Sequence, residues 1–282
     1  MEKLIINFTP TGMIPTKDMT PYVPISPEEI ANEILEAAKL GVSMVHIHGR
    51  EEDGEPTSNK EVYGEIIRRV REKNKEIILG VTTSGRKETS FEGRSQVLDL
   101  EGPLRPDTAS LTLSSLNFNK EASMNSPDLI QKLAKKMLDN GIKPELEVFD
   151  IGMINYAHYL IKKDLVKPPY YFNLLLGNIA CAQADLIMAG LMLRELPPGS
   201  TWSFAGIGDA QLKMNALAVV WGGGVRIGLE DNIFFDNPVR KVLASNLQLI
   251  QRIVTLAKTY GREIATPREV RQMLGLRMPE EI

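Results

Sequence analysis

Eight short β-branched or apolar runs alternate with seven longer helical patterns along the chain, and this alternation limits the fold more than any other feature. The runs are Leu4–Phe8, Met44–Ile47, Ile77–Thr82, Thr108–Leu113, Leu146–Phe149, Tyr171–Leu176, Trp202–Ala205 and Val225–Leu229. Helical patterns fall at Pro27–Leu40, Lys60–Lys73, Pro127–Asn140, Met153–Lys163, Gln183–Leu196, Ala210–Trp221 and Val239–Tyr260. The first has a complete start signal, with Ser26 as N-cap, Pro27 in the first position, Glu28 and Glu29 in the first turn, and a stop at Gly41.

Strand–helix alternation predicts a parallel sheet, and eight strands are the number that closes a (β/α)8 TIM barrel. An open doubly wound sheet is the competing α/β architecture. Against it, the first strand is not followed by G-x-G-x-x-G, and no Walker A pattern occurs. Residues 1–282 read as one domain, because no low-complexity linker interrupts them and barrels of roughly 250 residues are common. The charged, loop-like stretch from Gly85 to Pro106 follows a strand, which in a barrel puts it on the catalytic face in a position suited to a lid.

Composition removes several classes. Net charge is −3 with no basic block, so nucleic acid is not an expected partner. The lone Cys181 rules out an internal disulfide framework and a Cys-rich zinc module, and within a helical pattern it reads as packing. The opening MEKLIINFTPTG lacks the long apolar core of a secretory signal, and no run approaches the roughly 18 apolar residues of a membrane span. The expectation is a cytoplasmic protein with no membrane partner.

Val45-His46-Ile47-His48-Gly49-Arg50 is the strongest local signal. Alternation along a strand points His46 and His48 to one side, here the barrel mouth, where two imidazoles can converge on one divalent metal. The chain has three histidines, and the third, His158, lies in a helical pattern suited to an ordinary surface or satisfied core residue. Amidohydrolase-type barrels need further histidines from later strands, so that reading fails and the missing ligand should be a carboxylate. Arg226-Ile227-Gly228-Leu229-Glu230-Asp231 supplies candidates at the end of the eighth strand, where Arg226, Gly228 and Glu230 share one parity if the strand runs straight. Glu230-Asp231 also fits the acidic start of a helix. A His46, His48, Glu230 set leaves a coordination position open, as catalytic rather than structural sites do.

The elements VHIHGREEDGEP, LGVTTSG, PELEVFD, WSFAGIG and GGGVRIGLEDN, in this order and spacing, resemble the β-keto acid cleavage enzyme family through to the closing GREIATPREVRQML. The resemblance implies a (β/α)8 barrel, commonly tetrameric, that holds zinc. It also implies condensation of a β-keto acid with acetyl-CoA to give acetoacetate and a new acyl-CoA. Carried over by position, it places the zinc ligands on His46, His48 and Glu230, the base on Asp231 and its charged partner on Arg226. It places the strand-five glutamate on Glu147 and hydroxyl positions on Thr82 and Ser110.

These residue types suit the reaction. The carbon between the two carbonyls of a β-keto acid is acidic, a Lewis acid on the keto oxygen favours its anion, and Asp231 beside Arg226 can take the proton. Thr82, Thr83, Ser84 and Ser110, with backbone N–H groups near Gly85, are candidates for holding the substrate carboxylate.

Three positions and one loop depart from the family pattern. Members that act on an amino-substituted keto acid carry an acidic residue where this chain has Ile14, so an uncharged, apolar substituent is expected. Asp209 replaces the usual Arg after Gly206-Ile207-Gly208, and Gly224 replaces a common His. The loop after the sixth strand is altered to Gly177-Asn178-Ile179-Ala180. The alternative reading keeps the zinc and the enolate chemistry without acetyl-CoA, as in an aldolase or another C–C lyase.

Overall fold

A computed structural model describes residues 2–236 and 239–282. Eight parallel strands close into a barrel: β1 (Ile6–Phe8), β2 (Met44–Ile47), β3 (Ile78–Val81), β4 (Thr108–Thr112), β5 (Lys143–Val148), β6 (Tyr171–Leu176), β7 (Thr201–Gly206) and β8 (Gly224–Ile227). Each pairs with the next, and β1 closes on β8 with Asn7 opposite Arg226. Most strand residues are buried on both faces, which is why these segments read as nearly continuous apolar runs rather than alternating ones.

The helices are α1 (Pro27–Lys39), α2 (Lys60–Arg71), α3 (Phe91–Ser95), α4 (Pro127–Asp139), α5 (Ile151–Lys162), α6 (Leu186–Glu195), α7 (Ala210–Trp221), α8 (Asn246–Tyr260) and α9 (Pro267–Leu274). Ser26 and Glu29 form a reciprocal capping box at α1. Ile34, Ile66, Leu133, Met192 and Ile253, from five different helices, are sealed in the core layer against the barrel. Among the described residues no helix is long and apolar enough to cross a membrane.

The expected (β/α)8 barrel is present, with differences at element ends. The helix expected from Val239 begins at Asn246, where Ser245 and Gln248 cap one another. Upstream of it, Asp236 accepts from the N–H groups of Lys241 and Val242, and Phe234 pairs with Leu243 in an isolated antiparallel bridge, so residues 241–243 lie outside the helix. The helix expected from Gln183 begins at Leu186, because Asp185 caps Met188 N and the Gln183 amide donates to the Asn178 and Cys181 carbonyls. Cys181 therefore lies in a loop, half-buried.

The stretch expected as a loop-like lid contains α3 and two short 3-10 turns. Buried Arg94 pins it, donating to Thr83 O (2.8 Å), Met124 O (2.8 Å) and Asn125 Oδ1 (2.7 Å). At the opposite end of the barrel, α9 presents the fully buried Arg271 to Asp107, which also accepts from Arg71.

Candidate metal and acid–base site

The C-terminal mouth of the barrel brings together residues from β2, β5 and β8. His46 lies within β2 and His48 directly follows it, both buried, with their Nε2 atoms 3.2 Å apart. Glu230 Oε1 lies 3.3 Å from His48 Nε2 and 4.0 Å from His46 Nε2. One nitrogen or oxygen from each of the three residues falls within 4.8 Å of the others, and Glu230 Oε2 is buried with no protein partner. Two imidazoles and a carboxylate with an unused oxygen around one point are a donor set that fits zinc.

Glu230 does not reach this position on a straight strand. β8 ends at Ile227 and the chain turns at Gly228, where a Cβ would sit 2.0 Å from Thr9 O. Gly12, at φ +66°, packs on the Glu230 side chain so closely that a Cβ would come within 2.5 Å of its Cγ. Arg50 fixes the segment that carries Gly12 by donating to Gly12 O (3.0 Å) and Pro15 O (3.0 Å). The histidine motif thus supplies two donors and also the guanidinium that seats the backing of the third.

Arg226 is the hub of the acid–base side. Its guanidinium donates to Glu230 Oε1 (2.6 Å), Glu147 Oε1 (2.9 Å) and Asp231 Oδ2 (3.3 Å), and Glu147 Oε2 accepts from Thr112 Oγ1 (2.8 Å). One cation among three carboxylates leaves a deficit of two positive charges, which a divalent ion beside Glu230 would offset. Burial pushes the Asp231 carboxyl up to about 7, helped by Glu230 and Glu147 and opposed by Arg226. Burial also acts upward on Glu230, but the facing His48 and Arg226 outweigh it and hold this carboxyl below the usual carboxylate range. Burial keeps His46 neutral well below the ordinary imidazole range, as a metal ligand requires.

These residues border a cavity of about 130 Å³. Thr82 and Ser84 line it, as do Met13, Ile14, Phe118, Phe149 and Ile207. Thr83 and Ser110, also expected as carboxylate binders, are turned toward each other instead. Thr83 donates to Ser110 O (2.6 Å), and the Ser110 hydroxyl accepts from Thr83 N (3.1 Å). A Cβ on Gly85 would strike Met124 O at 2.3 Å, so that glycine faces the pinned wall. His158 is exposed on α5, with Nε2 2.9 Å from Glu195 O. Gly224 belongs to the far end of the barrel, where a Cβ would sit 2.3 Å from Ser203 Oγ. Asp209 is exposed just before α7.

Two residues escape the sequence reading. Arg86 lines the cavity with its guanidinium 3.6 Å over the Phe118 ring, its nearest acid, Glu121, 4.0 Å away and its Nε unbonded. Nothing but its place just after the third strand marks it. Glu145 is sealed in the barrel behind His46, and its signal was available, because it shares strand parity with Glu147.

A family profile described as beta-keto acid cleavage enzyme matches residues 3–276. The chain is 41% identical to a 3-keto-5-aminohexanoate cleavage enzyme from Fusobacterium nucleatum, over 98% of this chain and 99% of that protein. It is 34% identical to a 3-oxoadipate:acetyl-CoA acetyltransferase from Cupriavidus necator, over 96% and 94%. Among solved structures, apo ObcA superposes with a TM-score of 0.79 at 21% identity, covering 91% of this chain and 66% of that one, a likeness of fold. Site geometry, barrel and full-length sequence similarity agree, and the chain belongs to the β-keto acid cleavage enzyme family.

Proposed function

We propose that the protein is a zinc-dependent β-keto acid cleavage enzyme that condenses a β-keto acid with acetyl-CoA and releases acetoacetate and a new acyl-CoA. The observation that carries this reading is the convergence of His46, His48 and Glu230 beside an Arg226–Asp231 pair in one cavity. Zinc, when bound, supplies a Lewis acid for the keto oxygen of the substrate.

Asp231 takes the proton from the carbon between the two carbonyls, and its position near neutrality suits a base that must later return that proton. Arg226 orients Asp231 and keeps its ionised form available. Glu147, fixed by Thr112 and Arg226, anchors the far side of the guanidinium. The substrate carbanion attacks the acetyl thioester carbonyl and expels the coenzyme A thiolate. That thiolate adds to the original keto carbon, the bond from this carbon to the neighbouring carbanion carbon breaks, and Asp231 returns its proton to acetoacetate. No covalent enzyme intermediate is needed.

Thr82, Ser84 and Arg86 supply donors for the substrate carboxylate, with Arg86 as the charged member. Thr83, Ser110 and Gly85 support this wall rather than touch the acid. Met13 and Ile14 on the rim favour an uncharged, apolar substituent. The reading includes a cytoplasmic location and, by family resemblance, a tetramer.

The test combines metal analysis of wild type and of His46→Ala and His48→Ala variants with a β-keto acid screen, each acid with and without acetyl-CoA. The expected result is zinc bound to wild type, lost from both variants, and turnover that requires acetyl-CoA. Wild type that refuses added zinc overturns the metal assignment. Turnover without acetyl-CoA would instead favour the aldolase or C–C lyase alternative.

A further inference from the structure

His46 Nδ1 is buried and has no hydrogen-bond partner, although its ring is only 1% exposed. The Nε2 atom on the other side of the ring is the one that faces His48 and Glu230. A carboxylate stands behind the orphaned nitrogen, with Glu145 Oε2 3.8 Å from Nδ1. Glu145 is sealed from solvent and held from three strands, accepting from Thr108 Oγ1 (2.6 Å), Asn173 Nδ2 (2.9 Å) and Asn7 Nδ2 (3.1 Å). Asn7 is braced in turn by Tyr171, whose hydroxyl pairs with Ser203.

The barrel is also shaped to admit this carboxylate. Gly80 lies opposite His46 across β2 and β3, and a Cβ there would sit 2.3 Å from both Glu145 Oε1 and Thr108 Oγ1. Three donors and a vacated side-chain position therefore fix a carboxylate directly behind a buried imidazole.

We propose that Glu145 is a positioning residue for the metal site, accepting the Nδ1–H of His46 and thereby committing its Nε2 lone pair to the metal. This inference rests on the zinc reading of the site. A neutral imidazole carries one proton, and a carboxylate behind Nδ1 keeps that proton on the far side from the metal, which fixes the tautomer and raises the basicity of Nε2. Lost partners of this kind typically weaken metal binding about 10- to 100-fold.

The experiment compares zinc dissociation constants of wild type and Glu145→Gln by competition with a chromophoric chelator, and follows the melting of both metal-free proteins. Glu145→Gln should bind zinc about 10- to 100-fold more weakly while remaining folded. A zinc affinity within twofold of wild type in a folded variant overturns the proposal but leaves the metal reading standing. Wild type that takes up no zinc overturns both. Should Glu145→Gln fail to fold, nitrogen-15 imidazole spectra of zinc-loaded wild type decide the matter. Protonated Nδ1 on His46, with a downfield, exchange-protected proton, supports the role; a metal-bound Nδ1, or one whose proton exchanges freely, overturns it.

Discussion

Arg226 donates to Glu230 Oε1 across 2.6 Å, and the remaining oxygen of that carboxylate, Oε2, is buried without a partner. The guanidinium thus orients a metal-ligand candidate while its other nitrogens hold Asp231 and Glu147. The metal and acid–base halves of the site are coupled through this one side chain.

Replacing Arg226 with Lys tests that coupling. An ammonium is a point donor and cannot serve three carboxylates along a planar fork. Removing one partner from a buried ion-pair cluster typically destabilises by about 3–5 kcal/mol, and the retained charge of Lys should offset part of this. Arg226→Lys should therefore lower kcat by at least about 100-fold, the scale of a mispositioned general base, and should also reduce zinc content. Steady-state kinetics and metal analysis on the same preparation check both, and a variant with near wild-type kcat contradicts the hub.

Gly12→Ala probes the support behind Glu230. The added methyl meets Glu230 Cγ at 2.5 Å and Cα, a backbone atom, at 2.9 Å, on a residue already at φ +66°. Both the contact and the left-handed backbone oppose a side chain. The expected result is zinc affinity reduced about 10-fold or more, on the scale of a disturbed ligand support. Unchanged zinc titration of a folded Gly12→Ala protein would show that Glu230 does not depend on this contact.

Asp231 sets the pH behaviour. Its carboxyl is raised from 3.8 to about 7 in the folded protein, and its active form as a base is the ionised one. Activity is then lost as pH falls, and a divalent cation beside Glu230 draws the transition to lower pH. The acid limb of kcat/KM in zinc-loaded enzyme should lie at or below about 7. Stability runs the other way. A carboxyl raised on folding binds its proton better in the native state, so its contribution is full below the unfolded value and fades as pH rises through the folded one. Metal-free wild type should lose stability between about pH 4 and 7, and Asp231→Asn should remove that component. Melting curves across pH check the second claim and pH–rate profiles the first; an acid limb well above 7 in the zinc-loaded enzyme argues against the coupling.

The barrel and the donors were legible in the sequence for different reasons. Eight apolar runs survive as signals because strands buried on both faces carry a continuous apolar pattern. His46 and His48 were legible from parity, which a strand enforces locally. Glu230 was found despite a wrong local picture, since β8 ends at Ile227 and the chain turns at Gly228, packed against Thr9, instead of running on as a straight strand. Thr83 and Ser110 looked equivalent to Thr82, but pairing across β3 and β4 turned their groups toward each other. Arg86 was invisible because its meaning depends on Phe118 and Glu121, which approach it from a distant hairpin. Long-range packing of that kind leaves no mark on local periodicity.

In the proposed reaction, Ile14 and Arg86 divide substrate selection between them. Both line the cavity, Ile14 half-exposed on the rim and Arg86 largely buried over Phe118. A hydrogen bond to a charged partner contributes about 1.5–3 kcal/mol, so Arg86→Gln should raise KM for a β-keto acid by about 10- to 150-fold. If Arg86 meets only the β-keto acid, the KM for acetyl-CoA should stay close to wild type. Ile14→Glu should shift preference instead, raising kcat/KM for a β-keto acid with an ammonium substituent relative to its apolar homologue. An increase of about 3- to 5-fold in that ratio corresponds to roughly 0.7–1 kcal/mol, the upper range of one exposed ion pair. Parallel kinetics on the paired substrates measure the ratio directly. If Ile14→Glu leaves it unchanged, the rim does not read the substituent; if Arg86→Gln raises both KM values together, Arg86 shapes the cavity rather than binding the acid.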